Sequence, residues 1–185
     1  QEYKKFADSE ERVSVPDFMA RIVGEITHLA RNNPEINQRS GVSLRVTIAN
    51  YESMISSAFM RSITSGEKTH VNMRDLKALI PSTVGKIEVE SVEENQEVRI
   101  IEEIINRAVL NVFTKMFSTE RLDDTLQPFE SGTSINVGNS ITESEFLQAC
   151  RAIPSLVEIC QNAVGDSNPG TLASIIELVL EGLYL

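Results

Sequence analysis

Hydrophobic residues recur every three to four positions along most of the chain, which is the spacing of one face of an α-helix. The first such stripe comprises Phe18, Ile22, Ile26 and Leu29. The preceding segment 14–17 reads Ser-Val-Pro-Asp, which predicts Ser14 as N-cap and a proline in the first turn. Asn32-Asn33-Pro34 then ends the predicted helix.

The second predicted helix runs from Leu44 to Ser65, with Ser43 as N-cap and Gly66 as C-cap. Its predicted core face comprises Leu44, Ile48, Tyr51, Ile55, Ala58 and Ser62. Arg45 lies off this face, so we expect its side chain to point away from the local core.

Shorter elements follow. Val71 is predicted to be extended, and a short helix from Met73 to Ile80 is predicted to end at Pro81. Ile87 and Val89 alternate with glutamates, a pattern shared by a short strand and an extended linker that reaches Ser91.

The second half of the chain is again mostly helical by its spacing. The longest predicted helix runs from Glu93 to Phe117, and residues 128–139 are predicted to be a loop with room for a hairpin at Ile135 and Val137. Three further helices are predicted: one opened by the capping box Thr-Glu-Ser-Glu at 142–145, one that starts at Pro154, and one capped by Asn168-Pro169.

Charge divides the chain near Gly85. Residues 1–84 carry 11 Lys and Arg against 10 Asp and Glu, whereas residues 85–185 carry 6 against 17, and the total is −10. We therefore expect an all-α protein of two parts: a helical bundle at 1–84 and an acidic helical extension at 85–185, with at most one or two very short strands. The acidic excess fits either solubility or a docking face for a basic partner, and it disfavours nucleic acid.

Several classes of function are disfavoured by composition. No apolar run reaches the ~20 residues of a membrane helix, and no signal peptide is evident, so a cytoplasmic protein without a membrane association is expected. Cys150 and Cys160 are predicted to be small buried hydrophobic residues rather than a disulfide. His28 and His70 have no Cys or His partner at ligand spacing, so no metal site is predicted.

The candidate chemistry lies in segment 38–45, Gln-Arg-Ser-Gly-Val-Ser-Leu-Arg. Gly41 permits a tight turn, Ser43 caps the helix, and Arg45 becomes its second residue. The free N–H groups and the helix dipole favour an anion there, and the guanidinium of Arg45 matches phosphate oxygens. The pattern is also that of an ordinary exposed arginine. Arg39 could contact nucleotide or a neighbouring subunit, or pair with Glu35.

Segment 39–45, the long helix after it and segment 70–79, His-Val-Asn-Met-Arg-Asp-Leu-Lys-Ala-Leu, resemble an AAA+ ATPase lid. The resemblance covers roughly residues 13–84 and is to the magnesium-chelatase ATPase subunit I and its MoxR-type relatives. It implies that Arg45 is the sensor-2 arginine that reaches the γ-phosphate of ATP, with Ser43 and Arg39 also near the nucleotide. It further implies a homo-oligomeric ring, a P-loop domain in the same parent chain, and remodelling of a partner.

The sequence contains no G-x-x-x-x-G-K-[ST] motif, so this chain alone is not expected to hydrolyse ATP or to bind ATP and Mg²⁺ tightly. Gln1 in place of an initiator Met and the apolar run up to Leu185 predict the C-terminal portion of a longer ATPase. The competing hypothesis is a free-standing helical adaptor that binds partner proteins and has no nucleotide role.

Overall fold

Helices make up most of the chain, so the predicted all-α class with very short strands is confirmed. The computed structural model describes residues 12–37, 42–89, 96–118, 122–137, 141–165 and 168–185. The elements in chain order are β1 (Val13–Ser14), α1 (Asp17–Asn32), α2 (Leu44–Ser65), β2 (Thr69–His70), a 3₁₀ helix (Met73–Ala78), α3 (Leu79–Thr83), α4 (Gln96–Met116), α5 (Asp123–Glu130), α6 (Glu143–Cys150), α7 (Pro154–Val164) and α8 (Pro169–Tyr184).

The chain packs as two compact units, Gln1–Val112 and Phe113–Leu185. This division lies within α4, whereas the change in charge lies near Gly85. The charge boundary and the packing boundary are therefore different properties of the chain. None of the helices in the described ranges is both long enough and apolar enough to cross a membrane.

Helix α2 is the centre of the first unit and packs against α1, both strands, the 3₁₀ helix and α3. Its ends are those predicted, and Gly66 adopts the left-handed conformation, φ 76°, that closes a helix. Its buried residues repeat every four positions: Val46, Asn50, Met54, Ala58 and Ser62.

The predicted core face of α2 is wrong at three positions, because Leu44, Ile48 and Tyr51 are exposed. Polar residues occupy part of the buried row instead. Asn50 Oδ1 accepts a hydrogen bond of 3.0 Å from Thr83 Oγ1, whereas Asn50 Nδ2 is buried with no hydrogen-bond partner among the described residues. The predicted core face is therefore wrong in the first half of the helix, whereas Ala58 and Ser62 in the second half are buried as predicted.

The two strands pair in parallel, with Val13 opposite Thr69 and Ser14 opposite His70. Ser14 is thus a strand residue, and the prediction that it caps α1 is wrong. Pro16 is the N-cap of α1, and its carbonyl accepts from the amide of Met19 at 2.9 Å.

Ile36 and Val89 form an isolated antiparallel bridge. This bridge lies in the short extended segment predicted around Ile87 and Val89. Ser91 and residues 93–95, at the predicted start of α4, lie outside the described residues.

Pro81 does not end a helix as predicted. It is the third residue of α3, in the first turn, where a missing N–H removes no intrahelical bond. Before it, Asn72 and Asp75 form a capping box at the start of the 3₁₀ helix.

In the second unit, α8 packs against α6 and α7, and α7 also packs against α5. The capping box predicted at Thr142 is confirmed: Glu145 N donates to Thr142 Oγ1 at 3.3 Å and Thr142 N donates to Glu145 Oε2 at 2.9 Å. The hydrogen bonds that the Glu145 carboxylate accepts from the amide and from the hydroxyl of Thr142 hold the pKa of Glu145 below its usual value. The predicted starts of α7 and α8 are also confirmed.

The loop predicted from Pro128 is wrong in its first residues, because α5 runs through Pro128 to Glu130. The hairpin predicted at Ile135 and Val137 is also wrong, since residues 133–137 are irregular. Positions 138 and 139 of the predicted loop lie outside the described ranges.

Cys150 and Cys160 are buried free thiols, which confirms their prediction as buried small residues. Burial, aided by the nearby charge of Glu177, raises the pKa of Cys150 to about 12. Burial and then the neighbouring Cys150 also raise the pKa of Cys160. Both thiols are therefore protonated and behave as hydrophobic core residues.

Candidate functional site

The candidate site is the start of α2. Ser43 occupies the N-cap position in an extended conformation, φ −80° and ψ 161°, but its side chain makes no capping hydrogen bond. The predicted hydroxyl cap is therefore wrong in detail. The first turn also contains no acidic residue. Its backbone N–H groups and the positive end of the helix dipole are consequently uncompensated by side chains of this turn.

Arg45 is the second residue of α2, as predicted, and its side chain is exposed. The orientation follows from the packing of its neighbours. Val46 is 1% exposed, and Thr47 Oγ1 is 2.8 Å from Thr27 Oγ1 of α1. These two contacts fix the rotation of the helix about its axis, so the residue before them faces solvent.

The chain entering α2 is held by a second arginine. Arg31, in the last turn of α1, donates from Nε to the carbonyl oxygen of Val42 at 3.0 Å. This bond fixes the residue that precedes the N-cap. It also brings a second guanidinium to the approach to α2. Arg39, the other predicted arginine of this site, lies outside the described residues.

An apolar strip lies on the exposed side of the first half of α2. Leu44, Ile48 and Tyr51 are 64%, 49% and 37% exposed. Their spacing of four and three residues places them along one side of the helix. Large apolar side chains that share one side of a helix and remain in water are typical of a surface that another body covers.

A buried ion pair anchors the other half of α2, and it was not predicted from the sequence. Arg61 and Asp75 form a two-pronged contact, Nε to Oδ1 at 3.2 Å and Nη2 to Oδ2 at 2.6 Å. The Asp75 side chain is 0% exposed. Arg61 also donates to Thr69 Oγ1 at 3.1 Å and to the carbonyl of His70 at 2.9 Å. It therefore ties α2 directly to β2.

Asp75 accepts two more hydrogen bonds, from Ser57 Oγ at 2.8 Å and from the amide of Asn72 at 2.9 Å. The spacing Asn-x-x-Asp at 72–75 is the sequence signal that could have marked this carboxylate as a capping residue. Nothing local in the sequence points to Arg61 as its partner. We assign this network a structural role, because Asp75 is enclosed by the unit's own groups.

Within the described ranges, no group of three or more His, Cys, Asp and Glu side chains is arranged to hold a metal ion. The comparisons with protein-family models, curated proteins and solved structures give no match to this chain. The described features of the site are a helix start without a side-chain cap and an exposed guanidinium beside it, on an all-α scaffold.

Proposed function

We propose that this chain is the lid portion of a magnesium-chelatase-like AAA+ ATPase. In the parent protein a P-loop domain holds ATP and Mg²⁺, and the lid, residues 1–84, closes over the nucleotide. The observation that carries the proposal is the exposed guanidinium of Arg45 in the first turn of α2, whose amides have no side-chain cap.

The anion that best fits this arrangement is a phosphate group. Backbone N–H groups, the helix dipole and a guanidinium all stabilise negative charge at the same place, and the guanidinium makes two parallel bonds to phosphate oxygens. The exposed side chains of Leu44, Ile48 and Tyr51 supply an adjoining apolar surface. A P-loop domain docked there would cover this strip and bring its nucleotide to Arg45.

When bound, ATP with its Mg²⁺ supplies the transferable γ-phosphate. This chain's contribution is to stabilise the charge of that phosphate through Arg45, and the resemblance implies that Ser43 and Arg39 also contact the nucleotide. Once ATP is hydrolysed and the inorganic phosphate leaves, Arg45 loses its anionic partner, and the lid is released. Because Arg61 ties α2 to β2, the released helix moves together with the strands rather than alone. In a homo-oligomeric ring in the cytoplasm, this motion would remodel a partner protein.

The test uses the parent protein with its P-loop domain. Arg45→Ala should lower the ATPase rate at least about tenfold, since losing one positioned charge-stabilising donor commonly costs ~100-fold or more. Arg45→Lys keeps the charge but not the planar fork, so we expect an intermediate rate. Arg21→Ala, which removes an exposed arginine from α1, is the matched control and should leave the rate unchanged. Unchanged turnover in Arg45→Ala refutes the assignment.

The second candidate is a helical adaptor without a nucleotide role. It is favoured by the same exposed strip of α2 and by the acidic excess of residues 85–185. The coding sequence upstream of Gln1 distinguishes the two. A G-x-x-x-x-G-K-[ST] motif there supports the ATPase, whereas an initiator Met immediately before Gln1 supports the adaptor.

A further inference from the structure

A cleft of about 600 Å³ lies within the second unit, lined by the end of α4, the start of α5 and one side of α7. Sites for small organic ligands commonly measure about 300–1,000 Å³. Its apolar lining includes Met116, Phe117 and Ile159. The cleft is therefore large enough for an aliphatic chain and offers that chain an apolar wall.

The charged groups of this cleft are all acidic among its described lining residues. Asp124 of α5 and Glu158 of α7 both line it. The two helices are joined beside the cleft, because Ser155 Oγ donates to the carbonyl oxygen of Asp124 at 3.3 Å. The surrounding unit, residues 113–185, carries three Lys and Arg against ten Asp and Glu, a net charge of −7. Both the local and the wider charge favour a cation.

Helix ends of both signs meet at this cleft. Met116 and Asn162 belong to the last turns of α4 and α7, whereas Asp124 and Ser155 lie in the first turns of α5 and α7. The partial charges of these ends are opposite in sign, so the attraction for a cation comes from the two carboxylates.

We propose that this cleft binds an aliphatic ammonium ion. Asp124 and Glu158 pair with its positive charge, and Met116, Phe117 and Ile159 contact its methylene chain. A free diamine and a lysine side chain of a partner protein both present this chemistry. The proposal concerns a surface of the second unit and does not depend on Arg45.

The proposal is tested by nuclear magnetic resonance titration of the full ¹⁵N-labelled chain. The probes are 1,5-diaminopentane, a capped pentapeptide with one central lysine, and the same peptide with norleucine in place of lysine. We expect saturable shifts of the amides of residues 116–118 and 155–163 with at least one ammonium probe and none with the norleucine peptide.

Two double variants distinguish binding in this cleft from nonspecific attraction of a cation to an acidic protein. Asp124→Asn with Glu158→Gln should weaken binding about fivefold to thirtyfold, the loss expected from two partly solvated ion pairs. Glu130→Gln with Glu181→Gln removes the same charge from exposed positions outside the described lining, and should change affinity less than about twofold.

Each outcome decides the proposal. Binding of the diamine alone identifies a small-amine site, and binding of the lysine peptide alone identifies a lysine of a partner; binding of both supports ammonium recognition without distinguishing the source. The proposal is overturned if neither ammonium probe saturates, if the norleucine peptide binds equally well, or if the two double variants weaken binding to the same extent. Far-ultraviolet circular dichroism of each variant confirms that it is folded.

Discussion

Replacing Asp75 with asparagine should destabilise the first unit by about 3–5 kcal/mol, the usual cost of breaking a buried ion pair from one side. The Asp75 carboxylate is 0% exposed, and Arg61 is 20% exposed, so solvent compensates little of the loss. This substitution preserves the shape of the side chain and changes its charge and hydrogen bonding.

The magnitude also follows from the individual contacts. Each carboxylate oxygen accepts two hydrogen bonds: Oδ1 from Ser57 Oγ and Arg61 Nε, and Oδ2 from Arg61 Nη2 and the amide of Asn72. An asparagine retains one accepting oxygen, so two donors lose their acceptor. At about 1–3 kcal/mol for each unsatisfied buried donor, the loss is about 2–6 kcal/mol, in agreement with the first figure.

Urea denaturation followed through the backbone amide signals of residues 46–62 measures this unit separately from the second. For a slope near ~2 kcal/mol per molar urea, the midpoint should fall by about 1.5–2.5 M. Glu103→Gln is the matched control, because Glu103 pairs with Arg99 at 3.8 Å and both side chains are 62% exposed. Its expected cost is below about 0.5 kcal/mol. Equal midpoints for Asp75→Asn and Glu103→Gln would refute the reasoning.

Three further predictions concern packing, thiol chemistry and nucleotide. Gly182→Ala would place a Cβ 2.4 Å from Phe113 Cγ and should cost about 1–3 kcal/mol in thermal unfolding, whereas Gly24→Ala, with no atom within 4 Å of its new Cβ, should be neutral or stabilising. Cys150 and Cys160 should resist iodoacetamide at pH 7.5 until urea unfolds the chain. The stability that Cys150 contributes is fully present below its ordinary pKa of 9.0 and is lost as the pH rises from there through about 12. Rapid labelling of the native protein, or a urea midpoint that does not change over that pH range, would contradict the burial of Cys150. The chain without a P-loop domain should show no ATP hydrolysis and no tight binding of a non-hydrolysable ATP analogue by titration calorimetry, because one arginine and a helix start contribute about 1–3 kcal/mol; micromolar affinity would reveal a complete site in this chain.

The boundaries of the helices were predictable where local chemistry sets them. Gly66 closes α2 with a positive φ, Thr142 opens α6 with a capping box, and Pro154 begins α7. Each of these signals acts through backbone groups a few residues away. Sequence therefore suffices to place such ends.

The helix boundaries inferred from prolines were less accurate, because a proline can either begin or end a helix. Pro81 lies in the first turn of α3, and Pro128 lies inside α5. The exposed side of α2 was missed for a different reason. Asn50 lies in the buried row and its side-chain oxygen is hydrogen-bonded to Thr83, which the hydrophobic pattern does not represent.

The candidate site likewise has one feature that local sequence predicts and one that it does not. The position of Arg45 in the first turn of α2 was predictable from the Ser-Leu-Arg order at 43–45, because helix starts are local. The contact between Arg61 and Asp75 joins residues 14 positions apart through the fold of β2 and the 3₁₀ helix. No periodicity within one element encodes such a pair.

The parallel pairing of β1 with β2 bears on the order in which the first unit folds. It joins Val13 to Thr69 and encloses both α1 and α2 between its two strands. Closing a loop of this length costs on the order of 3–4 kcal/mol of chain entropy, more than a pair of two-residue strands can recover by itself. We therefore expect the strands to pair after the helices form, once Arg61 on α2 can hold Thr69 and His70 in place. On this account the smallest element of the unit completes the fold rather than starting it.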